Sequence, residues 1–427
     1  MEMMKEERVR TGRLARLGSI FTLVLAVAAC SSTATQSPAA VTRSAEVATQ
    51  PPLPTTSPSP TASPSPMAPI TLKAGPKMTT ARTGQAAVRL KDGRVLIMGG
   101  TVPLVGKCPM MCVPPATASV EIYNPSTGKF SRNGSLAKPR SAGGALLLND
   151  GRVLVLGGDD EYGAALRTME IYDPAHGNSA VVKPPAAQRL PDNPAVVLLA
   201  DGRVLIAGGS YDDSNTPSAA TLIFDPASGG FTEGPLIAKP GQGEIATLLD
   251  DGRVLLVGED YYEGSNGYAT SAELIDPSRA SYKSTLPFSV AWQTATKLPD
   301  GHVLLTGGGP DQSDASCGAS VASEVFDPRT ESFSRVGPMN TPRSGGTAIG
   351  IPDGRVLLFG GVDCDGAAVG TVEAFDPDSG TFQVIGTEFP ALTDFSATLL
   401  NDGRILVAGG NNGDWNGMTA ASWLLKP

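Results

Sequence analysis

The stretch Asp150-Gly-Arg-Val-Leu-Val-Leu-Gly-Gly158 decides the fold, because the chain repeats it seven times with little change. Asp-Gly supplies the positive φ of a tight hairpin turn. The apolar run after it is typical of a strand that is buried on both faces, and the paired glycines allow close backbone approach. The copies begin at Asp92, Asp150, Asp201, Asp251, Asp300, Asp353 and Asp402. They recur about every 52 residues, which indicates a repeat architecture.

A second phrase follows each copy and ends in Asp-Pro or Asn-Pro, as in Glu170-Ile-Tyr-Asp-Pro174. The seventh phrase is degenerate, Trp423-Leu-Leu-Lys-Pro427. Each unit therefore predicts four strands, which we name a to d in chain order: a short apolar run, the strand after Asp-Gly, the Glu-Ile-Tyr phrase and a final strand. An aromatic residue marks strand d at Phe130, Phe231, Phe333 and Phe382. Antiparallel units of this kind predict the blades of a β-propeller.

The seventh unit has no strand d of its own, because the sequence stops at Pro427. Residues 70–78 precede the first strand a, and their stretch Gly75-Pro-Lys-Met78 parallels Gly337-Pro-Met339 in a strand-d region. We therefore predict that this N-terminal strand completes the last blade and closes the ring, which removes two exposed sheet edges. The predicted fold is an all-β, seven-bladed propeller over residues 70–427.

Three recurring features resemble Kelch repeats: Gly-Gly after strand b, Tyr/Phe-Asp-Pro after strand c and an arginine before strand a (Arg82, Arg140, Arg343). The period also matches Kelch blades better than WD40 blades. The resemblance is to the superfamily of Kelch proteins and the galactose oxidase central domain, and it implies a scaffold without fixing an activity. The sequence departs from the pattern at Glu259, which replaces the second glycine, and in four units that lack the arginine.

Residues 1–30 predict an export signal. A basic segment is followed by uncharged residues 17–29, which as a helix reach about 20 Å and are too short to span a bilayer. The ending Val27-Ala-Ala-Cys30 resembles a bacterial lipobox, which implies that Cys30 is diacylated. An ordinary cleaved signal with an incidental Cys30 is the alternative. We expect a lipid-anchored protein of the bacterial cell envelope that faces outward.

Residues 31–69 consist almost entirely of Ser, Thr, Pro and Ala and predict a disordered linker between the membrane and the propeller. The first 29 residues contain five basic and three acidic side chains, so the net charge of −9 becomes −11 for the remainder. This charge repels polyphosphate and argues against nucleic-acid binding. We expect a monomer that contacts the membrane only through its lipid anchor.

The turns between strands a and b and between strands c and d lie on one side of a propeller, the lower face. The b–c loops and the d–a links between blades lie on the other side, the upper face. The lower turns are short and uniform here, whereas the b–c loops vary in length and content, and function concentrates on variable loops. The candidate ligand-binding residues are acidic and aromatic side chains of the upper face: Asp160, Tyr162, Tyr211, Asp212, Asp213, Tyr261, Tyr262, Trp292, Asp311, Asp363 and Trp415.

Acidic groups beside exposed aromatic rings suit a carbohydrate or a basic protein surface. A second interpretation is that acidic loops merely keep an exported protein soluble. The preferred hypothesis is a surface-anchored recognition or scaffolding module that binds a protein or glycan. The alternative is an exported Kelch-type carbohydrate-modifying enzyme resembling sialic acid mutarotase, in which Arg82, Arg140 and Arg343 would act with nearby carboxylates around a central pocket.

Four cysteines remain once Cys30 is set aside. Cys108 and Cys112 share the first b–c loop, and Cys317 and Cys364 occupy this loop in blades 5 and 6. An oxidising location predicts two disulfides, 108–112 and 317–364, with metal binding by Cys108 and Cys112 as the alternative.

The two histidines, His176 and His302, fall in different lower-face turns. The chain therefore lacks the histidine pair of the galactose oxidase copper site. We expect no catalytic residues, no cofactor and no metal.

Overall fold

The computed structural model describes residues 67–104, 106, 113–185, 188–209, 218–238, 241–260, 269–279, 281–283, 294–308, 319–413 and 417–427. All of them belong to the unit Ser63–Pro427. The predicted signal and nearly all of the predicted linker lie outside the described residues. Regular structure in the described ranges is β-strand throughout, and these ranges contain no helix that is long and apolar enough to cross a membrane.

Within the described ranges, twenty-eight strands form seven four-stranded antiparallel sheets, which confirms the predicted all-β, seven-bladed propeller. The first strand, β1 (Thr71–Ala74), belongs to the seventh sheet. Blade 1 contains β2 (Ala86–Arg89), β3 (Val95–Met98), β4 (Ser119–Asn124) and β5 (Lys129–Ser135). Blade 2 contains β6 (Gly144–Leu147), β7 (Val153–Leu156), β8 (Met169–Asp173) and β9 (Asn178–Val182). Blade 3 contains β10 (Ala195–Leu198), β11 (Val204–Ala207), β12 (Leu222–Asp225) and β13 (Gly230–Glu233).

The remaining sheets repeat this order. Blade 4 contains β14 (Gly241–Leu248), β15 (Val254–Asp260), β16 (Ala269–Asp276) and β17 (Ser281–Lys283). Blade 5 contains β18 (Thr294–Lys297), β19 (Val303–Thr306), β20 (Ser323–Asp327) and β21 (Ser332–Arg335). Blade 6 contains β22 (Thr347–Gly350), β23 (Val356–Phe359), β24 (Val372–Asp376) and β25 (Thr381–Gly386). Blade 7 contains β26 (Ser396–Leu399), β27 (Ile405–Ala408), β28 (Ser422–Lys426) and β1.

The N-terminal strand closes the ring as predicted. It pairs antiparallel with β28, with Thr71 opposite Lys426 and Ala74 opposite Trp423. Beyond the strand, the Gly75 amide donates to the Ser422 carbonyl oxygen at 2.7 Å. The first strand of the fold therefore serves as strand d of the last blade.

Strand b of each blade is packed between two neighbouring sheets. In blade 1, Leu96 belongs to a core cluster with Val153 of blade 2. Its neighbour Ile97 points the other way and clusters with Leu406 of blade 7. Successive residues of a strand face opposite sides, so a strand that is covered on both sides must be apolar at every position. This explains the unbroken Val-Leu-Val-Leu pattern of the repeat.

The lower face is built from turns that are nearly identical. Asp92 accepts from the Arg94 amide at 3.0 Å and from Arg94 Nε at 2.8 Å. The hydrogen bond from the Arg94 side chain lowers the pKa of Asp92. The same arrangement recurs in five other blades, at Asp150–Arg152, Asp201–Arg203, Asp251–Arg253, Asp353–Arg355 and Asp402–Arg404.

These arginines also join adjacent blades. Arg152 of blade 2 donates to the Pro226 carbonyl oxygen of blade 3 at 3.1 Å. Arg253 of blade 4 donates to Pro328 of blade 5 at 2.8 Å and forms an ion pair with Glu331. The Asp-Gly-Arg motif therefore makes the turn and also fastens it to the next sheet, which gives the lower face a structural role.

Candidate functional site on the upper face

The b–c loops of the upper face are fastened to the d–a links. In blade 2, Asp159 pairs through isolated β-bridges with Ser141 of the link and with Ala165 where the loop returns. The equivalent residues are Val362 in blade 6, which bridges to Ser344 and Ala368, and Asn411 in blade 7, which bridges to Thr393 and Met418. These loops are continuations of the sheets and can hold a side chain in a fixed position.

Two candidate residues in the b–c loop of blade 2 have different roles. The Asp160 carboxylate accepts from the backbone amides of Tyr162 at 2.8 Å and Ala164 at 2.9 Å. The Gly163 amide donates to the Asp160 carbonyl oxygen at 3.0 Å. Asp160 therefore shapes the loop. The side chain of Tyr162 is 81% exposed and is presented to solvent by that loop.

The loop of blade 6 uses the same construction. Asp363 accepts from the amides of Asp365 at 3.0 Å and Ala367 at 2.9 Å. Both loops share the spacing Asp-x-x-Gly, a turn pattern in which the aspartate bonds to its own backbone. This spacing is visible in the sequence and could have shown that Asp160 and Asp363 bind the loop itself.

Eight other candidate ligand-binding residues lie outside the described residues and stay predictions: Tyr211, Asp212, Asp213, Tyr261, Tyr262, Trp292, Asp311 and Trp415. The same is true of Cys30, Cys108, Cys112 and Cys317. Cys364 is disulfide-bonded. Its partner lies outside the described residues, so the pairing with Cys317 stays a prediction.

The d–a links carry unusual backbone conformations where they approach the inner strands. Ala142, Asn193 and Asp394 have φ of 52°, 46° and 52°, at the repeat position that is glycine in Gly84 and Gly345. The left-handed region is uncommon for residues with a side chain, and such strain concentrates at functional sites.

These links also form hydrogen bonds with one another. The Gly84 amide donates to the Asp394 carbonyl oxygen at 2.8 Å, and the Ala142 amide donates to Gly84 at 2.7 Å. This chain of bonds connects blades 7, 1 and 2. Strands a of adjacent blades are in contact, so the links before them lie toward the inside of the ring.

A cavity of about 340 Å³ lies between blades 2 and 3 on the upper face. Its wall includes Ala142 and Asn193, two of the residues with left-handed backbone, together with Asp159. Next to it, Arg167 Nη2 lies 3.5 Å from the buried Asp192 carboxylate and connects the loop of blade 2 to the link of blade 3. The cavity thus combines a carboxylate, strained backbone and walls fixed by neighbouring blades.

The three arginines before strand a are interior residues. Arg82 is 0% exposed, and its Nη2 lies 2.8 Å from Glu121 Oε1. Its Nη1 donates to the Gly99 carbonyl oxygen at 2.8 Å. Burial lowers the pKa of Arg82, and the Glu121 charge opposes this shift. The equivalent pairs are Arg140–Glu170 at 2.7 Å and Arg343–Glu373 at 3.0 Å. Each of the three guanidinium groups is therefore directed to an interior glutamate.

The strand-c glutamates that bind these arginines were not among the candidate residues. Glu121 also accepts from the amides of Thr79 at 2.7 Å and Thr80 at 3.1 Å, so it fixes the incoming link. The sequence carried a signal for this role. Every unit with the arginine has the glutamate, and the two units without the glutamate, with Leu222 and Trp423, also lack the arginine.

No protein-family model matches the chain, and no curated protein sequence matches it. Among solved structures, the chain is similar to a fungal alcohol oxidase of the AA5 family in complex with copper. The TM-score is 0.60 at 16% sequence identity, over 83% of this chain and 76% of that one. At this identity the similarity shows the propeller fold alone. The described residues contain no group of three or more His, Cys, Asp and Glu side chains that could hold a metal ion.

Proposed function

We propose that the protein is a carbohydrate-recognition module, lipid-anchored at the bacterial cell surface, that binds glycans through its upper face. One observation carries this proposal: the Tyr162 ring is 81% exposed at the tip of a loop whose backbone is fixed by Asp160. An aromatic ring that is held away from the protein can stack on the apolar face of a sugar. The exposed Glu161 next to it in the sequence supplies a carboxylate that can accept hydrogen bonds from sugar hydroxyl groups.

The contrast between the two faces supports the proposal. Lower-face turns are occupied by bonds within and between blades, whereas the upper face presents loops that differ from blade to blade. The cavity between blades 2 and 3 lies on the same side as Tyr162 and is near the lower end of the range for small-ligand sites. Tyr211, Tyr261 and Trp415 would add further rings to this surface.

The alternative, an enzyme resembling sialic acid mutarotase, depended on Arg82, Arg140 and Arg343. All three are buried and paired with strand-c glutamates. They are unavailable to bind a substrate carboxylate, so we do not propose this activity.

A glycan array with the full-length protein in detergent tests the proposal. Stacking on one ring contributes about 1 kcal/mol or more, so Tyr162→Ala should weaken binding to the best glycan about five- to ten-fold. His176→Ala is the matched control, because His176 is 74% exposed on the lower face. A blank array together with specific capture of an envelope protein would replace the glycan with a protein partner.

The anchor is tested separately. Metabolic labelling with a fatty acid should mark the wild-type protein, and Cys30→Ala should abolish the label. Labelling that persists in this variant would show that Cys30 is not the lipidation site.

A further inference from the structure

Blade 3 contains a second cavity, of about 370 Å³, at the outer strands of the sheet. Strand c, the end of strand d and the d–a link from blade 2 enclose it. The lining residues are Gln188, Arg189, Ala220, Thr221, Leu222, Glu233, Gly234 and Leu236. None of them belongs to the candidate residues of the upper-face loops.

The cavity follows from a change in the repeat. Leu222 occupies the strand-c position of Glu121, because it lies opposite Ile206 of strand b as Glu121 lies opposite Ile97. Counted back from the a–b turn, Pro191 occupies the position of Arg82. Gln188 and Arg189 correspond to Thr79 and Thr80, the link residues whose amides bind the glutamate in blade 1. Blade 3 has thus lost both members of the buried ion pair, and the cavity opens where the pair would meet the link.

One buried polar atom at this cavity has no hydrogen-bond partner among the residues that the structure describes. Gln188 Oε1 is buried and accepts no hydrogen bond in the described part of the chain. Buried acceptors in native proteins are nearly always paired with protein or water, so this oxygen is expected to accept from a water molecule that a ligand can displace. The Thr221 hydroxyl is satisfied, since it donates to the Pro235 carbonyl oxygen at 2.7 Å.

Charges of both signs line the same space. Arg189 and Glu233 are exposed, and neither forms an ion pair with another described residue. Leu236 is 60% exposed and, with Leu222, supplies an apolar wall. Among the described residues, a guanidinium and a carboxylate without ion-pair partners therefore lie beside an unpaired amide oxygen and an apolar surface.

We propose that this cavity binds a small zwitterion with an apolar side chain, a free amino acid of the leucine type. The ligand carboxylate pairs with Arg189, whose planar guanidinium matches a carboxylate in two-point geometry. The ammonium group donates to Glu233 and to Gln188 Oε1. The apolar side chain packs against Leu222 and Leu236. This site is independent of glycan binding at the upper-face loops.

Calorimetry with the full-length protein and L-leucine tests the proposal. We expect saturable binding in the micromolar to millimolar range. Arg189→Ala and Glu233→Ala should each weaken it about ten-fold, the scale of one charge-assisted hydrogen bond. N-acetyl-leucine amide lacks both charges. Its affinity for the wild-type protein should be no higher than the affinity of leucine for either variant. His176→Ala, on the lower face, should leave leucine binding unchanged.

A second variant removes the space itself. Pro191→Arg combined with Leu222→Glu rebuilds the pair that blades 1, 2 and 6 carry and should abolish leucine binding. Thermal unfolding shows which variants fold. If the double variant does not fold, the single variants at the exposed residues Arg189 and Glu233 still test the proposal. The proposal is overturned if leucine does not bind, if Arg189→Ala and Glu233→Ala bind it normally, or if the uncharged analogue binds equally well.

Discussion

Blades 1, 2 and 6 bury a glutamate together with an arginine, whereas blade 5 buries the glutamate alone. Glu324 is 6% exposed, and its Oε2 has no hydrogen-bond partner in the described part of the chain. The sequence has Val290 where blades 1, 2 and 6 have arginine. Burial raises the pKa of Glu324, and the charge of Arg335, with Nε 3.8 Å from Oε1, only partly opposes this.

The comparison shows that the role of the strand-c glutamate depends on whether its blade also has the arginine. With arginine present, Glu121 is a charged anchor that binds a guanidinium and two amides of the link. Without arginine, the same residue type in blade 5 is a carboxyl group that resists ionisation. Blade 3 has neither residue and has a cavity instead. The interior of each blade therefore differs according to which members of the arginine–glutamate pair it has.

The largest expected effect comes from breaking a pair. Glu121→Leu leaves the Arg82 guanidinium buried without a counter-charge, which should lower the free energy of unfolding by about 3–5 kcal/mol. Chemical denaturation measures this loss. The double variant Arg82→Leu/Glu121→Leu makes blade 1 resemble blades 3 and 7 at these positions and should recover most of the loss. A single variant as stable as the wild type would show that the pair is not a unit.

In blade 5, by contrast, removing the charge of the buried glutamate should raise the free energy of unfolding. Glu324→Gln removes a carboxylate that is costly to ionise and should stabilise the protein by about 1 kcal/mol at neutral pH, within the range of single stabilising changes. Glu373→Gln, in the paired blade 6, is the control and should destabilise it. If both substitutions change stability in the same direction, the distinction between the blades is wrong.

The raised pKa of Glu324 also predicts how the stability of the protein changes with pH. Because the pKa of Glu324 is raised in the folded protein, the folded state holds this proton more tightly than the unfolded chain. The stabilisation is complete below the ordinary glutamate pKa and is lost as the pH rises through the folded-state pKa. Denaturation midpoints of the wild type and Glu324→Gln should therefore converge in acid and separate toward neutral pH.

The smallest effect is expected at the lower face, where arginine–aspartate pairs are exposed. Arg94 and Asp92 have side chains that are 39% and 51% exposed. Arg94→Ala should cost less than about 1 kcal/mol, as exposed pairs do. Thermal unfolding of this variant beside Glu121→Leu measures the contrast between an exposed and a buried pair. If Arg94→Ala lowers the free energy of unfolding as much as Glu121→Leu does, burial does not explain the difference between the two kinds of pair.

Much of the fold could be predicted because seven copies of one pattern agree in phase. The turn at Asp150-Gly151 and the strand that follows it are adjacent in the chain, and local chemistry determines both. Closure by β1 could be predicted by counting strands. Such features need no knowledge of contacts between distant residues.

The candidate site was harder to predict, because composition does not show where a side chain points. The carboxylates of Asp160 and Asp363 bind their own loops, while Tyr162 is left exposed. Arg82 reaches a glutamate 39 residues away, a contact that depends on the packing of a link against its blade. The left-handed backbone of Ala142 has no sequence signal, because alanine is not a typical residue for that conformation.

The closing strand has a consequence for the order of folding. The hydrogen bond from Ser422 Oγ to the Pro76 carbonyl oxygen joins residues 346 positions apart. During synthesis, β1 leaves the ribosome long before β28 exists, so six sheets can assemble while the ring is still open. Contacts of such large sequence separation form slowly. A chain that terminates before Ser422 would keep two unpaired sheet edges, and such edges are templates for pairing with another chain.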